Sequence, residues 1–265
     1  MKYSFIVAVR DDEPGIRRTL KALSAMDYKP PNFEVIVVDD ASVDRTYLAA
    51  LETSLPNWTV LRSTTPLGRG AARNLAVQHS TGEWLVIQDS DDVSMPQRLK
   101  WIDEMMEQDA KVDLIAGQMA YLGSCSAKQG RPSEQLAQTQ SDAKSLIRAG
   151  HMPLAHGAVC IRRTAFEDVG GYRDFARAQD FDLLIRLANR PWAIDSRVYF
   201  HYSRRWLTPF RTWQESQKNV RKIARQHDLP TGKGRVSKCS WLYSECKRLV
   251  RVIRNELRCN LKLQS

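Results

Sequence analysis

At 265 residues, with 43% apolar and 26% charged side chains, the chain has an ordinary globular composition and can bury a sizeable core, as one domain with an appendage or as two small domains. Its net charge of +10 is uneven: residues 204–265 carry 16 Lys/Arg against 4 Asp/Glu, which leaves residues 1–203 with 24 against 26, a net of −2. No apolar run reaches the length of a membrane span. The five cysteines (Cys125, Cys160, Cys239, Cys246, Cys259) match neither a disulfide framework nor a zinc spacing, which points to a reducing, cytoplasmic compartment.

Residues 1–9 combine one lysine with an apolar run but offer no convincing cleavage site, so they read as a first strand over 3–9 and not as a signal peptide. A helix follows over 14–25, with Ile16, Leu20 and Leu23 on one face. Val35-Ile36-Val37-Val38 has the β-branched composition of a strand buried on both faces of a parallel sheet. Asp39 and Asp40 follow it, and Ser42 is placed to cap the next helix. In open α/β sheets ligands bind beyond the carboxyl ends of the strands, so acids there face a ligand, although an ordinary βα turn uses the same residue types.

A helix over 45–55 and a strand over 58–61 come next. The run Pro66-Leu67-Gly68-Arg69-Gly70-Ala71-Ala72-Arg73-Asn74 then leads into a helix ending near His79. A strand over 83–88 ends in Asp89-Ser90-Asp91-Asp92, followed by a helix from Pro96 to about Asp109 and a strand over 112–119. This alternation predicts an α/β fold with a mostly parallel sheet flanked by helices. Residues 123–140 break the pattern and read as a long surface loop. Beyond it the pattern gives a helix over 142–149, a strand over 157–161, a turn at 169–172, a helix over 178–188 and a strand over 192–200 that ends at His201. Arg17-Arg18 and Arg162-Arg163 read as solvated faces, and Trp84 and Trp101 as core.

Three acidic clusters follow apolar runs: Asp39-Asp40, Asp89 to Asp92, and Asp180 with Asp182. Carboxylates meeting in one crevice repel each other, and a divalent cation with oxygen ligands, Mg²⁺ or Mn²⁺, is the usual remedy. Such ions bind through one or two carboxylates plus substrate phosphates, so a diphosphate-bearing substrate is the natural reading.

Asp39-Asp40-x-Ser42-x-Asp44-x-Thr46, Gly68-x-Gly70-x-Ala72-Arg73-Asn74, Asp89-x-Asp91-Asp92, Gly170-Gly171-Tyr172-Arg173 and Gln179-Asp180-Phe181-Asp182-Leu183 stand in this order. Together they resemble glycosyltransferase family 2 over about residues 3–203. The resemblance implies a GT-A fold, with a Rossmann-like sheet, and inverting transfer of a sugar from a nucleotide-diphosphate donor. It divides the chain into a transferase domain over 1–203 (a nucleotide-sugar half over about 1–119 and an acceptor half over about 120–203) and a basic extension over 204–265.

By the same likeness, Asp39 or Asp40 would hold the nucleotide base together with Ala8, Val9, Arg10 and Asp12. Arg73 would lie near the nucleotide, Asp89 and Ser90 on its ribose side, and Asp91 on Mn²⁺ or Mg²⁺. His201 occupies a place where some relatives ligate the metal. Asp180 matches the general base, with Asp182 as an alternative, and His156 and Gln179 are candidates for the acceptor side. Gln179 departs from the Glu usual in the family, which removes a negative charge beside Asp180.

Residues 242–257 repeat apolar positions every three or four residues among Lys and Arg, as in a basic amphipathic helix. The reading favours an anionic membrane surface, at the cytoplasmic face and with a lipid-linked or glycan acceptor, over packing on the core and over nucleic acid. Two other functions stand as alternatives: a binding module on a decayed transferase scaffold, and a sugar nucleotidyltransferase. The latter wants a Gly-rich basic loop after the first strand, where Arg10-Asp11-Asp12-Glu13 stands instead.

Overall fold

The computed structural model describes residues 1–28, 31–124, 136–203 and 210–229. In chain order it contains β1 (Tyr3–Val9), α1 (Glu13–Ser24), β2 (Phe33–Asp39), α2 (Thr46–Thr53), β3 (Thr59–Arg62), α3 (Arg69–Gln78), β4 (Trp84–Asp89), β5 (Val93–Ser94), α4 (Arg98–Gln108) and β6 (Leu114–Tyr121). The second half contributes α5 (Gln140–Arg148), a 3₁₀ turn (His156–Ala158), β7 (Val159–Arg162), α6 (Arg163–Asp168), α7 (Gln179–Leu187), β8 (Trp192–Tyr202) and α8 (Phe210–Gln226).

The eight strands form one sheet in the order β3-β2-β1-β4-β7-β6-β8-β5. β1, β2, β3 and β4 run parallel, as do β6 and β8, while β7 is antiparallel to both of its neighbours and β5 is antiparallel to β8. Sequence patterning predicts the mostly parallel sheet, but the reversed β7 between its two halves is a feature of the structure alone. Apolar runs carry no strand direction, and Cys160 serves an antiparallel ladder as readily as a parallel one.

Side-chain alternation along the strands feeds two cores, one on each face of the sheet. Phe5 and Val7 of β1 join Ile16, Leu20, Leu99 and Ile102 of α1 and α4 on one face. Ile6 faces the other way and joins Ala72 and Ala76 of α3 with Phe181 and Leu184 of α7. Burying each of these larger side chains contributes about 1.5–3 kcal/mol. Ile223 of α8 packs into the second core, with Val220 and Leu229 beside it, so residues 210–229 are joined to the α7 face. The amphipathic pattern over 242–257 and most of the 123–140 loop lie outside the described residues.

Charged residues account for several differences from the sequence reading. Arg162 is not solvated: its guanidinium lies 4.5 Å from the centre of the Trp84 ring and donates to the Val112 carbonyl. Arg163 donates to the Gly82 carbonyl at 2.7 Å, and Arg18 to the Asp91 carbonyl at 2.9 Å. Long basic side chains bury their stems while their donors find backbone oxygens, which composition alone does not reveal. Trp84 is core, as expected, and Trp101 packs on the edge of that core against Tyr199.

Among the described residues no helix is long and apolar enough to cross a membrane.

Candidate active site

The parallel register sets Asp39 beside Val9 and Asp89 beside Ala8, so the carboxyl ends of β2, β1 and β4 bring these residues to one edge of the sheet. Asp39 is fully buried. Its Oδ2 accepts from the Ser42 amide at 3.3 Å and meets the Arg62 guanidinium at 3.4 Å, while Oδ1 has no partner. A buried carboxylate oxygen without a donor is costly, and a ligand donor arriving there would recover that cost.

Asp40 is used differently. Its two oxygens accept from the amides of Leu67 and Gly68, at 2.5 and 3.0 Å, and clamp the turn that starts α3. Asp40→Ala is therefore expected to lower stability by about 2–3 kcal/mol, because two amides lose a charged acceptor; chemical denaturation of the variant measures this. Asp12 is likewise engaged: its side chain caps α1 at the Gly15 amide, 3.2 Å away, and its own amide donates to Thr46. Arg10 is exposed beside Asp11.

Arg73 projects from α3 into the interior, where its guanidinium pairs with Asp89 at 2.5 Å and lies 5.7 Å from the Tyr172 ring centre. Burial would raise the Asp89 carboxyl, but the Arg73 charge outweighs it and holds the group below the usual carboxylate range. The buried His156 ring meets the Tyr172 hydroxyl at 2.9 Å. Burial first, and Arg73 second, push the imidazole down to about 4, so it is neutral at pH 7. Asp180 is close enough to act electrostatically on Arg73, Tyr172 and His156 alike.

Two local devices bring the Asp180 segment against α3. Asn74 pairs with both backbone groups of Tyr172: its Oδ1 accepts from the amide at 3.0 Å and its Nδ2 donates to the carbonyl at 2.8 Å. Gly70 supplies the clearance, since a Cβ there would stand 3.2 Å from the Tyr172 Cβ and 3.5 Å from the Gln179 side chain. Tyr172 and Asn74 are the residues that sequence reasoning left without a role. They lie 98 positions apart, and no local signal announces their pairing.

Asp180 stands in the first turn of α7, where the helix dipole favours a carboxylate. Its Oδ1 accepts from the Phe181 amide at 2.9 Å, and its other oxygen has no partner among the described residues. Ala178, the residue immediately before the helix, is held at φ +61°, a strained setting for a non-glycine residue. Asp182 is fully buried and saturated by Arg186 at 2.7 Å, His227 at 3.1 Å and Arg173 at 3.6 Å. Asp40, Asp89 and Asp182 are thus compensated within the protein, whereas Asp39 Oδ1, Asp92 Oδ2 and one Asp180 oxygen are left without a donor among the described residues.

The turn after β4 is stitched to the end of β8. Asp92 accepts from the Ser203 amide at 2.8 Å, and burial with Asp89 and Asp91 nearby raises its carboxyl to about 9. His201 pairs in register with Val93, two residues beyond Asp91, and its buried Nε2 has no partner. Burial lowers the pKa of that imidazole, which favours the neutral form a metal ligand needs. Among the described residues no group of three or more His, Cys, Asp or Glu is arranged to hold a metal ion. A site of one or two carboxylates completed by substrate phosphates suits Mg²⁺ or Mn²⁺, and the backbone register brings the unpartnered His201 nitrogen to the turn that carries Asp91.

The Glycosyl transferase family 2 profile matches residues 4–170. The chain belongs to that family. EpsE of Bacillus subtilis strain 168 is 25% identical over 191 residues, covering 70% of this chain and 66% of its own. The amylovoran biosynthesis glycosyltransferase AmsB of Erwinia amylovora is 26% identical over 195 residues, covering 70% and 64%. The chain therefore spans somewhat less than two thirds of these relatives' own length. Among solved structures, TarS 1–349 of Staphylococcus aureus in complex with UDP-GlcNAc superposes with a TM-score of 0.66 at 23% identity, over 87% of this chain and 68% of that one. The mannosyltransferase PcManGT of Pyrobaculum calidifontis, in complex with GDP-Man and Mn²⁺, gives 0.66 at 18% identity over 97% and 73%. These likenesses show the GT-A fold.

Proposed function

We propose that this member of the family is an inverting glycosyltransferase that moves a sugar from a nucleotide-diphosphate donor to an acceptor hydroxyl. The observation that carries the reading is one electrostatic cluster, in which the Arg73–Asp89 pair at the donor edge and Asp180 at the acceptor edge share Tyr172 and His156. Asp39, with its unpartnered Oδ1, is assigned to the nucleotide base in preference to Asp40, alongside Ala8, Val9 and Arg10. Asp89 and Ser90 face the ribose side, and Arg73 fixes Asp89 as a carboxylate there.

Asp180 accepts the proton of the acceptor hydroxyl as its oxygen attacks the anomeric carbon. Tyr172 and His156 hold the wall of the site, and Gln179 lies beside the acceptor. Asp91 and His201 would hold Mn²⁺ or Mg²⁺, which when bound supplies charge neutralisation for the departing diphosphate. A surface polysaccharide or related glycan as product is supported by the AmsB relationship. Action at a cytoplasmic membrane face is supported by the +12 charge of residues 204–265.

The test is a panel of nucleotide sugars with and without Mn²⁺, read by thermal unfolding. A donor at 100 times its Kd is expected to add about 2.7 kcal/mol. Asp91→Ala is expected to remove the Mn²⁺-dependent part of that gain and all transfer, while binding to anionic liposomes persists. Stabilisation by no member of the panel, or an Asp91→Ala protein that still transfers, rejects the proposal.

A further inference from the structure

A cavity of about 330 Å³ opens beside Asp180, between the start of α7, the 176–178 turn and one face of α8. Thr212, Ser216 and Val220 of α8 line it at spacings of four residues, as a single helix face does. Its charged lining residues are Arg69, Arg177 and Asp180. Cations therefore outnumber anions around the carboxylate assigned as the base.

Two further features describe what would enter. Gln179 is 5% exposed, lines this cavity, and its side-chain amide has no hydrogen-bond partner among the described residues. Among the described residues Arg69 likewise has no ion-pair partner, and Arg177 pairs only with the exposed Glu215, at 3.5 Å. Exposed pairs of that kind hold their partners weakly, so the Arg177 guanidinium is open to exchange for a better anion. An unpaired amide donor that shares its cavity with two guanidinium groups offers a set of donors suited to a phosphate or carboxylate oxygen.

We infer that the acceptor is a glycan carrying an anionic group, a phosphate or a carboxylate, close to the hydroxyl that is glycosylated. The anionic group would be received by Gln179 and Arg177, with Arg69 at the rim. The inference rests on the reading of Asp180 as general base, and it explains why a neutral amide is suited to position 179. A carboxylate at that position would put a second negative charge against the incoming anion.

Isothermal titration of the full chain tests this with five probes: methyl glucoside 6-phosphate, methyl glucuronide, neutral methyl glucoside, inorganic phosphate and dihexanoyl phosphatidylglycerol. The two anionic glycosides are expected to bind at least about tenfold tighter than neutral methyl glucoside and than inorganic phosphate. Gln179→Glu and Arg177→Gln are each expected to cut that preference by about tenfold. Raising the salt should shrink the preference in the wild-type chain, a readout that needs no variant to fold.

Equal affinity for neutral and anionic glycosides overturns the inference, as do variants that keep the wild-type preference. Tightest binding of inorganic phosphate would make this a general anion site, and tightest binding of the lipid would make it a headgroup site; either result overturns the glycan assignment. The parent reading fails separately, if an Asp180→Asn protein still transfers sugar, whatever the probes show.

Discussion

Asp180→Asn is expected to lower sugar transfer about 10²–10⁴-fold, the range that a positioned general base contributes. Affinity for the donor nucleotide should stay within a few-fold of wild type, because this carboxylate is assigned to the acceptor and not to the nucleotide. The substitution is nearly isosteric, and the amide oxygen can still accept from the Phe181 amide that now meets Asp180 at 2.9 Å. What disappears is proton acceptance by the second oxygen. Steady-state kinetics with a donor identified by the panel, paired with nucleotide titration, reads both quantities. A variant whose kcat stays within tenfold of wild type would move the base elsewhere.

Much of this arrangement is legible from residues that act locally. The β-branched run at 35–38 predicts a strand buried on both faces, and β2 has every residue buried. The acidic pairs at strand ends predict a ligand edge, and the register of β1 with β2 and β4 brings Asp39 and Asp89 to one edge of the sheet. What was not legible is how adjacent or distant groups divide the work. Asp39 and Asp40 are neighbours of the same type, yet their side chains leave the strand end in different directions. One keeps an unpartnered oxygen, and the other holds the Leu67 and Gly68 amides. Arg18, Arg162 and Arg163 read as solvated because a charge count does not record where a long stem can lie. Asn74 and Tyr172 meet only after the sheet has brought their segments together. The direction of β7 likewise depends on its neighbours and not on its own residues.

The second large expected effect concerns Asp182, the neighbouring carboxylate that the sequence offered as an alternative base. Asp182→Ala should destabilise the fold by about 3–5 kcal/mol, the cost of removing one partner from a buried ion pair. Arg186 is 8% exposed on its side chain and would keep only neutral carbonyl acceptors, Val169 at 2.5 Å and Gly171 at 2.7 Å. Burial already lowers the pKa of that guanidinium, and Asp182 is the main opposing influence. The half-exposed Arg173 adds little to the loss, since solvent screens it. His227 adds a second consequence, because its contact with Asp182 ties the end of α8 to α7, and α8 forms one wall of the cavity beside Asp180. Loosening should therefore appear first as faster amide exchange in α8 and in the 169–171 turn. Asp182→Asn keeps the shape and part of the hydrogen bonding, so it is expected to lose less stability and to retain transfer within a few-fold per folded molecule. That last measurement separates the two carboxylates: a base lost at 182 would collapse kcat in a protein that still melts cooperatively, whereas a buried anchor lost at 182 lowers the melting temperature and leaves the chemistry of Asp180 in place.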